Sequence, residues 1–382
     1  MNRRIIEDIV CPVDGGSLEL IIFSSESFIF SDSDFNILTK SGSSKDENLE
    51  NILNGILLNP RKKFKYPIYN GIPRLLTFHH SLLDNFNQKY YKELKVYEYL
   101  EYPNERSFQG DLKVLSSFSN EWTDYGYSEE AYWGQSTRTY NESLYLTLDI
   151  DESSEIQKIL EVGIGSGGTS NFIKEMTNAE VFGIDLSYSV DIAYNNFSSP
   201  FFHPIQASVF QLPFQPAKFD FVYSHGVLHH TYSTREAFKS ISKMPDRGSK
   251  LYIWVYSQFN EERSLPRRIF MTLEKIIRPW LSKANYMVQN VAINMLAPLY
   301  ILNQSIVRLK NKNRTRYGFR EAKHAARDRF TPLYIFRHTE NEVSEWFKEE
   351  GFKDIKALSD RNFPSFVPIG FYANTGVSGV KK

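Results

Sequence analysis

The chain has 382 residues, 41% hydrophobic and 15% aromatic, which suits roughly two folded domains and excludes a disordered polypeptide. Cys11 is the single cysteine, which excludes an intramolecular disulfide and any multi-cysteine metal site. The formal charge of +0 hides an uneven distribution, because residues 263–329 carry fifteen Lys/Arg against three acids, Glu274, Glu321 and Asp328, a net +12 that the rest of the chain offsets. The opening residues, MNRRIIEDIVCPVDGG, hold no apolar run ahead of a small-residue cleavage site, so a cytoplasmic location is expected.

Residues 1–76 are expected to form a small β-rich domain, with short strands at "SLELIIF" and "FIFSD" broken by the polar stretch "SGSSKDENLEN". "VCPVDGGSLEL" and "LLNPRKKFKYPIYNGIPRLL" resemble the small zinc-ribbon-like domain that precedes many bacterial methyltransferases. The resemblance places Cys11, Asp14, Asn59 and Lys62 at the four ligand positions. Tetrahedral zinc needs thiolates or imidazoles at most positions, so a ribbon held by apolar residues, without metal, is expected. An unrelated β-rich extension is the other reading.

Residues 77–150, rich in aromatics and polar groups, are expected to be helical. Residues 151–262 alternate strand-like runs, "KILEVGI", "EVFGIDL", "FDFVYSHGV" and "KLYIWVY", with helical ones, as βαβ units and a mostly parallel sheet require. Within them "LEVGIGSGGTS" satisfies two cofactor patterns. Gly163, Gly165 and Gly168 fit the dinucleotide spacing, and Glu161 with Gly163, Gly165 and Gly167 fits that of S-adenosylmethionine (SAM) enzymes. A pyrophosphate seeks the helix N-terminus beyond such a loop and would be repelled by Glu161. SAM carries an ammonium and a sulfonium, which a carboxylate attracts, and the glycines allow close backbone approach. Glu161 therefore favours SAM. Asp185, about twenty residues on, suits the ribose hydroxyls of either cofactor.

"QLPFQPAKFDFVYSHGVLHHT" resembles the fourth-strand region of class I SAM-dependent methyltransferases, and the resemblance runs in order over residues 157–257. It implies a Rossmann-like α/β fold, a seven-stranded mostly parallel sheet with helices on both faces. It further implies that Glu161, Gly163, Gly165 and Gly167 hold the methionyl and ribose parts of SAM. Asp185 would bind the ribose hydroxyls and Leu186 would pack on adenine. Ser208 stands where the family often has an acid for the adenine amino group; its hydroxyl or the Val209 backbone could make that contact, or it is an ordinary loop serine. Tyr132 and Trp133 are expected either to cover the cofactor or to pack on the domain.

His225, His229 and His230 cluster at the carboxyl end of the fourth strand, the edge where ligands bind in open α/β sheets. His225 is expected beside the cofactor. His229 or His230 could take a proton from the acceptor, or the pair could simply pack. A base is optional, since SAM is a strong methyl donor and alignment alone carries much of the rate.

The basic block, 263–330, is expected as a helical insertion between the fifth and sixth strands, with 331–382 completing the sheet. Lys283 to Arg308 bracket an uncharged run, "ANYMVQNVAINMLAPLYILNQSIV", whose amides and Pro298 make it too polar and interrupted for a confident membrane span. A helix lying on a surface or acting as a lid fits better. Arg267, Arg268, Arg314 and Arg316 would present guanidinium groups to a phosphate or to the anionic inner membrane surface, unless the block is a lid or dimer face with a solvated rim. The function expected is SAM-dependent methyl transfer to a small-molecule, glycan or lipid-linked acceptor, with no metal. The alternatives are a non-catalytic SAM-binding or scaffold protein, or an RNA methyltransferase using the insertion. The last lacks an aromatic-rich basic RNA motif. Oligomeric state is not readable.

Overall fold

A computed structural model describes residues 1–40, 49–105, 107–108, 110–126, 135–150, 155–258, 265–310 and 318–382. The N-terminal part is a four-stranded antiparallel sheet, β1 (Glu19–Ser27), β2 (Glu50–Asn59), β3 (Phe64–Tyr69) and β4 (Ile72–Pro73), in that order. Helix α1 (Asp32–Lys40) joins β1 to β2. The expected second strand at "FIFSD" does not form. Phe28 and Phe30 instead pack on Ile37 and Leu38 of α1, a local apolar cluster that favours the helix over a solvent-facing strand.

Helices α2 (Ser81–Lys89), α3 (Tyr91–Leu94), α4 (Asp111–Tyr125) and α5 (Thr137–Leu148) follow, as the composition of 77–150 predicts. The second sheet then begins with β5 (Lys158–Val162), α6 (Gly168–Thr177), β6 (Glu180–Asp185), α7 (Ser189–Asn196) and β7 (Phe202–Gln206). It continues through β8 (Phe219–His225), α8 (Thr234–Ile241) and β9 (Pro245–Val255). The insertion supplies α9 (Leu265–Leu281), α10 (Tyr286–Lys310) and α11 (Phe319–Phe330), and the chain closes with α12 (Glu340–Glu349), β10 (Phe352–Ala357), α13 (Ile369–Tyr372) and β11 (Thr375–Lys381).

The seven strands lie in the order β10-β11-β9-β8-β5-β6-β7. All ladders are parallel except those of β11, which runs antiparallel to β9 and β10. Strand order reverses between β5 and β8, so the loops after these strands diverge and leave a crevice at their carboxyl ends. The central strands are continuous apolar runs because helices cover both faces, and Leu160, Phe182, Val222 and Leu251 are wholly buried. The N-terminal sheet shares this core. Ile5, Ile9, Cys11 and Tyr66 pack in one cluster with Leu160 and Phe182, and buried Arg74 donates to Asp191 of α7.

Cys11, Asp14, Asn59 and Lys62 converge beside β2. Asp14 accepts from Gly16 N and Asn59 Nδ2 at 2.9 Å and from Arg61 at 2.8 Å, and Asn59 Oδ1 accepts from Lys62 N at 3.1 Å. Cys11 Sγ lies 3.1 Å from the Tyr66 hydroxyl. Burial opposes the Asp14 charge, but the Gly16 amide, Arg61 and Cys11 outweigh it and hold the carboxyl down at about 2.

Within the insertion, Pro298 does not end the helix; it lies exposed inside the 25-residue α10. Proline removes one backbone donor, and on a solvent-facing turn the freed carbonyl remains hydrated. No helix of the described residues is long and apolar enough to cross a membrane. Part of the block's charge turns inward. Glu274 is fully buried and binds Arg329 at 2.8 Å, Arg337 at 3.0 Å and Arg278 at 3.7 Å. Arg327, also fully buried, reaches Asp124 at 3.3 Å and covers the Tyr286 ring. Arg267 and Arg268 fall in α9, while Arg314 and Arg316 lie outside the described residues.

Candidate functional site

A cavity of about 770 Å³ opens at the carboxyl ends of β5, β6, β8 and β9, within the size range of cofactor and substrate pockets. Its floor is the loop after β5. Gly163 has φ 91° and Gly165 φ 52°, conformations that side-chain-bearing residues rarely adopt. A Cβ at Gly163 would come within 2.2 Å of Val227, and one at Gly165 within 2.8 Å of the Trp122 indole. Gly167 caps the N-terminus of α6 and faces Ala193 rather than the cavity; it lets α6 approach α7.

Glu161 ends β5 on the cavity wall, accepts a hydrogen bond from Ser170 Oγ, and is buried. Burial raises its pKa to about 8, against the opposing effect of the Ser170 and Tyr223 hydroxyls. An uncompensated carboxyl here is suited to a cation. Asp185 ends β6 and accepts from Gly165 N at 3.1 Å, Ser187 N at 2.9 Å and Ser187 Oγ at 2.7 Å. Burial raises its pKa while these donors lower it. Leu186, Ser208 and Val209 line the same end, and Ser208 Oγ accepts from Phe210 N at 3.3 Å. A glycine floor, a buried carboxyl seeking a cation and a second carboxylate one strand away fit the methionyl and ribose ends of SAM. Tyr132 and Trp133 lie outside the described residues. A cover exists nonetheless, from α4, whose Phe118 and Trp122 line the cavity one helical turn apart.

The three histidines separate. His225 lines the cavity and stacks on Trp254 at 4.4 Å, and burial lowers its pKa to about 3, so it is a neutral aromatic wall. His229 is wholly buried and does not line the cavity; neither ring nitrogen has a partner among the described residues, and it packs against Tyr256 at 4.1 Å. The acid–base role considered for it therefore has no access to a ligand. His230 does line the cavity. Its Nδ1 lies 2.9 Å from the Tyr334 carbonyl, which can only accept, so Nδ1 carries the proton and Nε2 holds a lone pair. Burial lowers its pKa, with Asp328 partly opposing.

Asp328 Oδ1 is 3.9 Å from His230 Nε2, and Asp328 Oδ2 accepts the Tyr256 hydroxyl at 2.8 Å. Asp328 comes from α11, so the insertion contributes directly to the cavity wall. Sequence reasoning missed it, although an acid in so basic a block was itself a signal. Glu121 and Asp111 of α4 also line the cavity; burial raises the pKa of Glu121, and brings that of Asp111 to about 7. Among the described residues, no Lys or Arg lines the cavity.

Residues 160–253 match the family model described as a methyltransferase domain. Phosphoethanolamine N-methyltransferase 2 of Caenorhabditis elegans is 28% identical over 131 residues, a match covering 33% of this chain and 30% of that protein. Among solved structures, Haemonchus contortus phosphoethanolamine N-methyltransferase 2 is 14% identical, with 74% of this chain and 62% of that chain covered and a TM-score of 0.41. The Haloferax volcanii complex of the Trm112 activator with a putative methyltransferase gives 13% identity, coverage of 72% and 99%, and a TM-score of 0.40. The glycine loop, Glu161 and Asp185 thus sit inside the segment, residues 160–253, that matches a methyltransferase domain.

Proposed function

We propose that the protein transfers a methyl group from SAM to an oxygen or nitrogen of a neutral or cationic small-molecule or lipid-linked acceptor, with His230 as the base. The observation that carries this reading is the pairing, in one cavity, of the Glu161 and Asp185 end with a second chamber of Phe118, Tyr256, His230 and Asp328. SAM, when bound, supplies an electrophilic methyl group on a sulfonium. The glycine floor and the Glu161 carboxylate orient the cofactor, and α4 closes over it and excludes water. His230 Nε2 receives the proton that leaves the acceptor N–H or O–H. Asp328 then faces an imidazolium and stabilises it by opposite charge. Tyr256 donates to Asp328 and orients that carboxyl group.

The charge of the second chamber selects the acceptor. Its carboxyl groups, Asp111, Glu121 and Asp328, have no lining Lys or Arg beside them among the described residues. Phosphate recognition ordinarily uses arginine forks or lysines, so a phosphomonoester acceptor is disfavoured, whereas a cationic group is favoured by the aromatic faces of Phe118, Trp122 and Tyr256 and draws the buried Asp111 and Glu121 towards their carboxylate forms. Arg278 and Arg329 of the insertion, with Arg337 beyond it, are committed to Glu274 rather than to the cavity.

The test is methyl transfer from labelled SAM to matched acceptor panels of amines, neutral alcohols and phosphomonoesters. Turnover confined to amines or alcohols supports the reading. Turnover confined to phosphomonoesters contradicts the charge argument, and SAM binding with no transfer to any panel, or to a cell metabolite extract, favours a non-catalytic role.

A further inference from the structure

The insertion carries a face that the methyl-transfer reading does not use. On α10, Met287, Val291, Met295, Leu299, Leu302 and Ile306 are all exposed, Met295 at 74%. Successive spacings of three and four residues place them within an arc of about 120°. Leu309 extends the stripe by one turn. The opposite side of the helix is committed to protein, since Ile293 and Ala297 are wholly buried and Ile293 packs with Leu281, Ala326 and Phe330. On α9, Leu273, Ile276 and Trp280 form a second exposed row, Trp280 at 64%. Two helices therefore present apolar rows far more continuous than scattered surface residues would be.

The charge around these rows identifies what covers them. Across residues 265–310 the one carboxylate is Glu274, and it is wholly buried beneath the helices. Lys275 and Lys283 are exposed, and Arg308 is half-buried near the far end. A face with apolar rows, exposed basic side chains and, among the described residues of α9 and α10, no exposed acid is complementary to anionic lipid headgroups over an acyl boundary, with Asp124 of α4 at its edge held by the Tyr286 hydroxyl and Arg327. A two-fold contact between copies would set the same patch, with its exposed Lys275 and Lys283, against itself. Trp280 adds an amphipathic ring suited to the headgroup level. A helix with one side packed on α11 cannot span the bilayer; it lies in the interface plane.

We infer that the α9–α10 face docks the protein onto an anionic lipid bilayer. Only α11 separates this face from the acceptor chamber: Ala326 and Phe330 pack towards α9 and α10, while Asp328 of the same helix lines the cavity. Docking therefore holds the acceptor chamber beside the membrane surface. The inference stands whether or not the acceptor argument holds.

The test uses vesicle co-sedimentation of the full chain, with phosphatidylcholine vesicles and with vesicles of phosphatidylcholine and phosphatidylglycerol mixed three to one. The comparison variant is Val291→Glu/Met295→Glu/Leu299→Glu, whose positions are exposed and whose new residue is a good helix former. Wild type should sediment with the anionic vesicles, and the triple variant should partition at least about tenfold less, as expected for lost apolar insertion plus charge repulsion. Binding should also weaken at about 0.5 M salt, where headgroup charge is screened. Circular dichroism and S-adenosylhomocysteine affinity should be unchanged in the variant. The inference is overturned if wild type ignores both vesicles, binds both equally, or binds as its variant does. It is also overturned if sizing shows a wild-type dimer that the three substitutions dissociate while neither form binds vesicles.

Discussion

Asp328 stands between two groups of the fourth- and fifth-strand edge, accepting the Tyr256 hydroxyl at 2.8 Å and lying 3.9 Å from Nε2 of His230. The insertion thus does more than cover the sheet. It places a carboxylate beside the His230 ring of the core, and the Tyr334 carbonyl at 2.9 Å fixes which nitrogen of that histidine carries the proton.

Replacing His230 with Gln should lower kcat by about 10²-fold or more, the usual scale of a lost general base, while SAM affinity stays within twofold of wild type by the same reasoning that the base touches the acceptor alone. Because burial holds the His230 pKa below the ordinary 6.5, the neutral base accumulates as pH rises through that lowered value. The rate should therefore climb on the acid side and level off before neutrality. Asp328→Asn lowers the midpoint of that limb further, because the opposing charge is gone. A pH–rate profile of kcat that is the same in wild type and in H230Q removes His230 from the reaction.

Cofactor affinity should depend on pH through Glu161. Its carboxyl, raised to about 8 by burial, is protonated in the free site at neutral pH, whereas a bound ammonium or sulfonium favours the carboxylate. Affinity for SAM should rise from pH 6 to about 8 and then level, with proton release on binding below pH 8. Glu161→Gln abolishes both. Calorimetry in two buffers of different ionisation enthalpy measures the released proton; a pH-independent affinity in wild type contradicts the assignment.

Trp122 lies against Gly165, where an added Cβ would approach the indole to 2.8 Å. Gly165→Ala should thus displace Trp122 and strain a backbone at φ 52°, weakening SAM binding by about tenfold or more and destabilising the protein by roughly 1–3 kcal/mol. Thermal melts with and without S-adenosylhomocysteine read both effects. An unchanged ligand-induced shift would show that the loop is not shaped around the cofactor.

Near the N-terminus, Asp14 already satisfies its charge on Arg61, Asn59 and the Gly16 amide, and Lys62 brings a cation to the same turn. The purified protein should contain no stoichiometric zinc, and Cys11→Ser should leave its metal content unchanged. Elemental analysis decides this; zinc that is present in wild type and lost in C11S would sink it.

β5, β6 and β8 were legible because each is an apolar run ending in chemistry, Glu161 near the end of β5, Asp185 at the end of β6 and His225 at the end of β8. β7, Phe202–Gln206, was less so. "FHPIQ" is short and carries His203, whose pKa burial lowers while Glu180, 2.8 Å away in the neighbouring strand, opposes the shift. "FIFSD" read as a strand because its alternation has period two, yet the apolar side chains of α1 claimed its two phenylalanines. The cover over the cofactor was expected from the aromatic segment before the sheet, but Phe118 and Trp122 sit one turn apart on α4, a spacing that carries no signature until Gly165 faces it. The acceptor chamber was the least readable part. Asp328, Glu121 and Tyr256 lie far apart in sequence and meet only through the packing of α11 on α4.

The account rests most directly on which nucleotide the glycine loop holds. Calorimetric titration of the full chain with S-adenosylhomocysteine and, separately, with NAD measures this. The account predicts a single S-adenosylhomocysteine site, weakened by about 1.5–3 kcal/mol in Asp185→Ala through lost hydrogen bonds to a charged acceptor, and no heat from NAD. Saturable NAD binding with S-adenosylhomocysteine ignored would contradict it.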